Sequence, residues 1–336
     1  MKILIVKLSS LGDVVHAMPA VQDLRRALPK AQIDWVVERD FAPLVRRCDG
    51  VHRVIACELR RWRRAPWNGP TRAAWRAFKA ELQHEAYDAV IDLQGLTKSA
   101  LIAWLARLAP GGRRLGLANR TEGSSFEAPA RWLAHEAITV PVHIHAVTRS
   151  RELCARAFGY GIDGFWSFGL LAPVDHAQAA TKSVANEQTM KAPVVFVHGS
   201  SRADKGWPAA AWVELGQRLA QHGHTVALTH GSNAEQQRAQ ELAGQIPGAC
   251  VWPRMQLDAM CDALARCAGV IGVDSGLSHI AVALDLPHVQ IYNLDTAWRT
   301  GPQGAAHQRS VFARPAPSVT AVWQAWLAVA GEQALP

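Results

Sequence analysis

Short apolar runs alternate with longer stretches of helical spacing along most of this chain. Residues 3–6 (ILIV) contain no polar position; they are too short for a helix and too uniform for a half-exposed strand, and so read as a strand buried on both faces. A small-residue loop, KLSSLGD, follows, and residues 14–28 keep helical apolar spacing until Pro29 stops them. The succession recurs. Runs at 33–37 (IDWVV), 52–56 (HRVIA) and 88–93 (DAVIDL) predict strands, with helical spacing at 42–47, 71–83 and 97–108; residues 113–117 predict another strand and 144–159 a helix. From 161 to 191 the pattern lapses into Gly, Pro, Ser and Thr, with an extended piece at 166–171, as expected of a passage between domains. A second series then opens, with strands at 193–198, 225–230, 270–273 and 288–292 and helices at 209–222, 234–245, 257–267, 277–284 and 318–329.

Alternating β and α segments of this kind build parallel sheets with helices on both faces, and ligands bind at the carboxyl ends of the strands. The expected class is α/β: two Rossmann-like, doubly wound domains facing each other across a cleft. The expected boundaries are 1–165 for the first domain, 166–191 for the passage and 192–317 for the second domain. A final helix lies within 318–336, and packing back on the first domain is one option for it. A chain of 336 residues that is 49% apolar has enough core formers for two domains, and no short internal repeat competes with this division.

Charge adds a partner class. Thirty-six basic against 28 acidic residues give a formal net charge of +8, which favours anionic partners. The six cysteines include no C-x-x-C pair and read as reduced, mostly buried thiols of a cytosolic protein. The amino-terminal run is broken by Lys7 and has no small-residue cleavage site, so it is expected to be a strand and not a signal peptide. No segment approaches a membrane span, which leaves any membrane contact peripheral. Thirteen tryptophans, several beside arginines, suit a surface that meets both phosphate and lipid.

The one G-x-G-x-x-G, at Gly159, Gly161 and Gly164, follows the helical segment 144–159 instead of joining a strand to a helix, and G-x-x-x-x-G-K-[ST] is absent, which removes the main support for nicotinamide chemistry and P-loop phosphoryl transfer. Glu38, without that glycine fingerprint, reads as a strand-end charge. In the loop Ser9-Ser10-Leu11-Gly12-Asp13 a carboxylate stands at the carboxyl end of the first strand, with Lys7 near the same loop; Asp13 is either a helix cap or a general base acting on a hydroxyl. The stretch GVIGVDSGLSHIA (269–281) ends a strand in small residues at a helix amino terminus. Unpaired N–H groups and the helix dipole there favour a phosphate, with Ser275 and Gly276 leaving space and His279 in the first turn; Asp274 reads equally as a cap. In HGSSRADKGWP (198–208), Ser200 and Ser201 offer hydroxyls and Lys205 a mobile charge, a set suited to a diphosphate leaving group.

The stripe ELRRWRRAPWNGPTRAAWRAFK (58–79) interleaves Arg60, Arg61, Arg63, Arg64, Arg72, Arg76 and Lys79 with three tryptophans. Nucleic acid, an anionic lipid surface or a phosphorylated substrate would each suit it, but no RRM, KH or zinc-finger signature accompanies it. His143 and His145 in PVHIH lack further ligands and read as alternate faces of an extended segment. No Asp-x-Asp pair of the sort that holds a divalent ion on a nucleotide sugar is present, so a metal-independent leaving-group strategy is expected.

KLSSLGDVVHAMPA, RRWRR, YDAVIDLQGLTKSA, HGSSRADKGWP and VDSGLSH, in that order across nearly the whole chain, resemble glycosyltransferase family 9. The resemblance implies a GT-B fold and inverting transfer of L-glycero-D-manno-heptose from ADP-heptose to the inner Kdo of Kdo2-lipid A. It implies no cofactor, no metal and no nucleic-acid partner. An enzyme with this donor and an already heptosylated acceptor is the alternative within the family; a non-enzymatic protein binding an anionic polymer and a nucleotide is the alternative outside it. By the same resemblance the acceptor belongs to the first domain and the donor to the second, on the cytoplasmic face of the inner membrane. Asp13 is implied as base. Ser200, Ser201, Lys205, Asp274, Ser275, Gly276 and His279 are implied as donor pocket, with Glu235 and Met255 as ribose and adenine contacts. Arg60, Arg61, Arg63, Arg64 and Arg120 are implied as clamps for acceptor phosphates and carboxylates. The chain departs from the family pattern at Ser200, Ser201 and Ser275, where threonines are expected, and at Tyr292-Asn293-Leu294-Asp295, which replaces a Gly-Pro turn.

Overall fold

A computed structural model describes residues 1–164, 166–171, 192–200 and 202–331. The chain divides into two compact units, Met1–Leu170 and Leu171–Pro336, a division that falls inside the stretch read as a passage. Most of that passage, 172–191, lies outside the described residues.

The first unit runs β1 (Lys2–Val6), α1 (Leu11–Ala27), β2 (Gln32–Glu38), α2 (Ala42–Val45), β3 (Val51–Cys57), α3 (Leu59–Trp62), α4 (Gly69–Leu82), β4 (Tyr87–Asp92), α5 (Thr97–Leu105), β5 (Leu108–Leu117), β6 (Glu136–Ile138) and α6 (Ala146–Phe158). Its strands form one sheet in the order β3-β2-β1-β4-β5-β6, parallel throughout. Ile3 to Val6 of β1 are fully buried because the strand has a neighbour on each side and helices above and below, which is why its sequence is a continuous apolar run. Trp62 of α3, Phe78 and Leu82 of α4, and Ile102 and Ala103 of α5 share one cluster with Leu4, Val6, Val36 and Val90, so these three helices cover one face. Elsewhere α1 packs against α6, where Arg151 donates to the buried Asp23 carboxylate at 2.6 and 3.2 Å.

The second unit runs β7 (Val194–Val197), α7 (Ala209–Gln221), β8 (Val226–Leu228), α8 (Asn233–Ala243), β9 (Cys250–Val251), α9 (Leu257–Ala265), β10 (Gly269–Val273), α10 (Gly276–Ala283), β11 (His288–Tyr292), α11 (Ala297–Thr300), β12 (Gln308–Phe312) and α12 (Val319–Ala330). The sheet order is β12-β11-β10-β7-β8-β9, again all parallel. Counted from its own first strand, each sheet has the same doubly wound order. The winding reverses between β1 and β4 in one unit and between β7 and β10 in the other, and a crevice opens at the carboxyl ends of those pairs.

The helix expected over 97–108 stops at Leu105, and the strand expected at 113–117 begins already at Leu108. Ala106 is extended, and Pro110 cannot continue a helix. Three strands, β6, β9 and β12, have no apolar run to announce them: β6 and β9 are sheet edges of three and two residues, and β12 is the polar edge QRSVF. The last helix packs on β11, β12 and α7 of its own unit, with Trp323 and Trp326 in that unit's core. The extended piece at 166–171 is tied to the first unit, where Leu170 bridges Cys48 and Asp49 N–H donates to Gly169 O at 2.7 Å. Among the described residues no helix is long and apolar enough to cross a membrane.

Candidate active site

Each unit carries a charged cluster at its own reversal of winding. In the first, Ser10 caps α1 and Asp13 stands three residues inside the helix. Its Oδ2 accepts from Ser10 N–H at 3.2 Å and Ser10 Oγ at 2.8 Å. Asp13 therefore is a capping partner, as the plain structural reading had it, but not the cap itself. Its other oxygen faces two cations: Lys7 Nζ at 3.8 Å and Arg149 Nη2 at 3.6 Å. Burial works against the charge on Asp13, yet Lys7, Arg149, the Ser10 hydroxyl and His16 outweigh it and hold the carboxyl well below the usual carboxylate range.

Both cations are fixed from behind. Lys7, at the end of β1, donates to Leu93 O at 3.2 Å, and burial lowers its ammonium to about 8 despite Asp13. Arg149, on α6, also reaches Thr121 Oγ1 at 3.2 Å. Across the reversal, the loop after β4 holds Gln94, whose Oε1 accepts from Leu8 N–H at 2.8 Å and Ser9 N–H at 3.4 Å, fixing the backbone that leads into Asp13. Sequence reasoning places Lys7 near this loop but does not find Arg149 or Gln94. Gln94 lies in the DLQGLTKS segment, where a polar residue straight after a buried strand is the available signal; Arg149 gives none.

The arginines assigned to an acceptor sit at the same edge of the sheet, because Arg60, Arg61, Arg63 and Arg64 follow β3 and Arg120 follows β5. All five are exposed. Arg61 pairs with Glu58 at 3.3 Å, and Arg120 Nε donates to Ser124 O at 3.4 Å. Glu38, at the end of β2, faces Arg60: burial raises its carboxyl, while the Arg60 charge and backbone N–H pull it down. It ties β2 to α3, in keeping with a strand-end charge. His143 pairs with Glu122 at 2.9 Å, and His145 accepts from Val147 N–H at 3.2 Å to cap α6. Among the described residues no group of three or more His, Cys, Asp or Glu side chains is placed to hold a metal ion.

In the second unit Asp274, at the end of β10, is buried and is not the cap of α10. Its Oδ2 accepts from Lys205 Nζ at 2.6 Å, and its Oδ1 lies 3.2 Å from His279 Nε2 and accepts from Thr300 Oγ1 at 3.5 Å. Burial would raise its carboxyl, but His279 and Lys205 outweigh that and hold it well below the carboxylate range. Lys205 comes from the loop after β7 and His279 from the first turns of α10, so this carboxylate joins both sides of the crevice. Ser200 Oγ donates to the backbone O of Asp274 at 3.2 Å. Ser275 is the cap residue of α10 and Gly276 its first residue, which leaves the helix amino terminus free of bulk. Gly272 permits the close approach of α10: a Cβ there would lie 2.3 Å from Ser278 Oγ.

Glu235 and Met255 stand in the segments after β8 and β9, at the same edge of this sheet. Glu235 accepts from Gly231 N–H at 2.7 Å, and its own N–H donates to Ser232 Oγ at 3.2 Å, a capping arrangement for α8. Met255 is half-buried. Ser201 lies outside the described residues. The departure after β11 has a definite role: Asn293 Nδ2 donates to Asp204 O at 2.6 Å and Gly206 O at 3.2 Å, clamping the loop that carries Lys205. Chemically, one cluster offers an ionised carboxylate able to accept a proton, and the other a lysine and a helix end able to accept an anion.

A sequence model of glycosyltransferase family 9 (heptosyltransferase) matches residues 75–320. The lipopolysaccharide heptosyltransferase 1 of Pseudomonas aeruginosa is 39% identical over 306 residues, covering 90% of this chain and 82% of that protein. Among solved structures, E. coli heptosyltransferase WaaC with ADP is similar with a TM-score of 0.82 and 34% identity over 96% of this chain and 98% of its own. The same enzyme with ADP-2-deoxy-2-fluoro heptose has a TM-score of 0.77 at the same identity and coverage.

Proposed function

Because the chain belongs to glycosyltransferase family 9, the heptosyltransferases, we propose that it moves L-glycero-D-manno-heptose from ADP-heptose to the inner Kdo of Kdo2-lipid A, with inversion. It is an enzyme of the GT-B class of α/β fold. The observation that carries the reading is the identity to a heptosyltransferase 1 over nine-tenths of the chain. The two charged clusters supply the chemistry that such a transfer requires.

Asp13 acts as the base. As the acceptor hydroxyl attacks the anomeric carbon, the new C–O bond forms, the bond to the β-phosphate oxygen breaks with its electron pair leaving on ADP, and the hydroxyl proton passes to Asp13. A carboxylate held so low is a weak base, which suits late transfer of a proton that becomes acidic only as the bond forms. Lys7 and Arg149 keep it ionised and ready again after each turnover. On the donor side Lys205 exchanges Asp274 for the diphosphate, and the N–H groups of Ser275 and Gly276 at the start of α10 add partial positive charge. The reading gives these groups the work that a divalent ion does on other nucleotide sugars. Ser200 and Ser201 line the diphosphate, Glu235 the ribose and Met255 the adenine; Arg60, Arg61, Arg63, Arg64 and Arg120 hold the acceptor's anionic groups. The protein works at the cytoplasmic face of the inner membrane, bound peripherally.

The test combines ADP-heptose, Kdo2-lipid A and a chelator, following ADP release and the mass of the lipid product. Addition of one heptose is expected. Asp13→Asn keeps an acceptor for the Ser10 N–H and is expected to lower kcat by about 100-fold or more, with donor KM little changed. Product only from an already heptosylated acceptor, or wild-type turnover by Asp13→Asn, would refute the acceptor or the base respectively.

A further inference from the structure

The reaction just described leaves α4 of the first unit without a task. Between α3 and the first turns of α4 lies a groove of about 360 Å³, lined by Trp62, Pro66, Thr71, Arg72, Trp75 and Arg76. Its aromatic wall is well built. Trp62 meets Trp75 edge-on at 5.4 Å between ring centroids, and Phe78 backs both at 5.3 and 5.7 Å. Trp62 is only 7% exposed and forms the floor of the groove.

The surroundings define the occupant of the groove. Arg72 and Arg76 are exposed on the wall of the groove, next to the exposed Arg60, Arg61, Arg63 and Arg64. Trp67, in the turn between α3 and α4, is 87% exposed. On α5, which shares its buried side with α3 and α4, Leu101 and Trp104 are also exposed. Exposed tryptophan and leucine among arginines suit the boundary between hydrocarbon and anionic headgroups. We propose that the groove takes one acyl chain of an anionic membrane lipid. The aromatic wall packs on the chain, and Arg72 and Arg76 meet the anionic headgroup. The volume falls at the lower end of the roughly 300–1,000 Å³ of small-ligand sites, enough for one chain segment. That the lipid is a membrane lipid rests on the function proposed above; the groove does not.

The decisive experiment mixes the full-length protein with phosphatidylglycerol vesicles in which one acyl chain carries a diazirine, irradiates, and maps adducts by mass spectrometry. Adducts are expected within residues 62–76, reduced about tenfold by excess unlabelled phosphatidylglycerol and several-fold by Arg76→Glu, an exposed position whose replacement leaves the core intact. Adducts spread over the surface or confined elsewhere, insensitivity to Arg76→Glu, or a groove closed by a second copy of the chain in sedimentation would each overturn the proposal. A second measurement compares Trp75→Ala with wild type on acylated and deacylated acceptors. A several-fold rise in KM for the acylated form relative to the deacylated form is expected, and an equal change for both refutes the groove. If wild type transfers to neither acceptor, the proposed function fails while the cross-linking still decides the groove.

Discussion

Replacing Lys205 by Met separates the two tasks assigned to that residue. Its Nζ lies 2.6 Å from Asp274 Oδ2, a distance at which an effective dielectric of 20 gives a gross attraction of about 6 kcal/mol. Desolvation of both groups offsets most of that. Asp274 also keeps His279 at 3.2 Å and Thr300 at 3.5 Å, so it is not stranded when Lys205 is lost. The expected cost in stability is therefore about 1–2 kcal/mol, or about 2–8 °C in Tm for a unit of this size. The cost in catalysis is larger. A cation that meets the leaving diphosphate only as its charge develops contributes about 2–4 kcal/mol, so kcat is expected to fall by about 30- to 1,000-fold with a smaller change in donor KM. Adding Asp274→Asn to Lys205→Met removes both charges, which restores Tm and leaves turnover low. The assay is coupled ADP release at saturating acceptor, with thermal melts of the same samples. Turnover of Lys205→Met within threefold of wild type, or recovery of turnover in the double variant, would show that Lys205 is a structural partner of Asp274 and nothing more.

Three further outcomes are expected. Burial raises the Asp92 carboxyl to about 6 against the hydrogen bonds from Gln94, Ser99 and Gly95, so the folded first unit holds a proton that the unfolded chain gives up near pH 4. That unit should gain up to about 3 kcal/mol as pH falls from 6 to 4; Asp92→Asn, which can keep the same partners, should raise Tm at pH 7 and flatten this slope, and an unchanged slope would refute the assignment. In the second unit burial lowers His198 and His288 to about 4, so the unfolded chain takes up protons below pH 6.5 that the folded state refuses, and stability falls between pH 6.5 and 4. Hydrogen exchange at pH 5 should therefore show β7, β10 and β11 losing protection before β1 and β4, and the reverse order would count against it. Asn293→Ala removes both bonds to the Lys205 loop and should raise donor KM by about five- to tenfold, on the scale of one hydrogen bond, with less effect on kcat; unchanged donor titration curves would exclude the clamp.

What the sequence made legible follows from how each element is buried. β1, β4, β7, β10 and β11 lie inside their sheets with both faces covered, and such strands must be apolar at every position, so their runs stand out. β6 (EAI), β9 (CV) and β12 (QRSVF) pair on one side only and carry no such constraint. The loops that hold Asp13 and Asp274 were readable for a related reason: a small-residue turn between a buried strand and a helix is a local signature. Their partners from distant parts of the chain were not readable. Arg149 lies 136 positions beyond Asp13 in a helix, where an arginine ordinarily faces water, and only the packing of α6 on α1 turns it inward. Asp274 meets Lys205 only because β7 lies beside β10, whereas its other partner, His279, stands five positions on in the same stretch.

The two reversals of winding are built alike in backbone and opposite in charge, and exposure decides which member of each cluster is presented. In the first unit Asp13 is 41% exposed, against 2% for Lys7 and 8% for Arg149; in the second Lys205 is 17% exposed, against 5% for Asp274 and 7% for His279. The presented group is an anion in one and a cation in the other, with a buried partner of opposite sign behind each. A doubly wound sheet supplies a crevice but no chemistry of its own. Here the chemistry comes from which sign of charge is buried behind the first strand: cations make a carboxylate that stays ionised and sheds a proton easily, whereas a carboxylate makes a lysine that is held in place until a stronger anion displaces it. On the proposed reading, one topology thus provides, in successive halves of a chain, a group to receive a proton and a group to receive a departing phosphate.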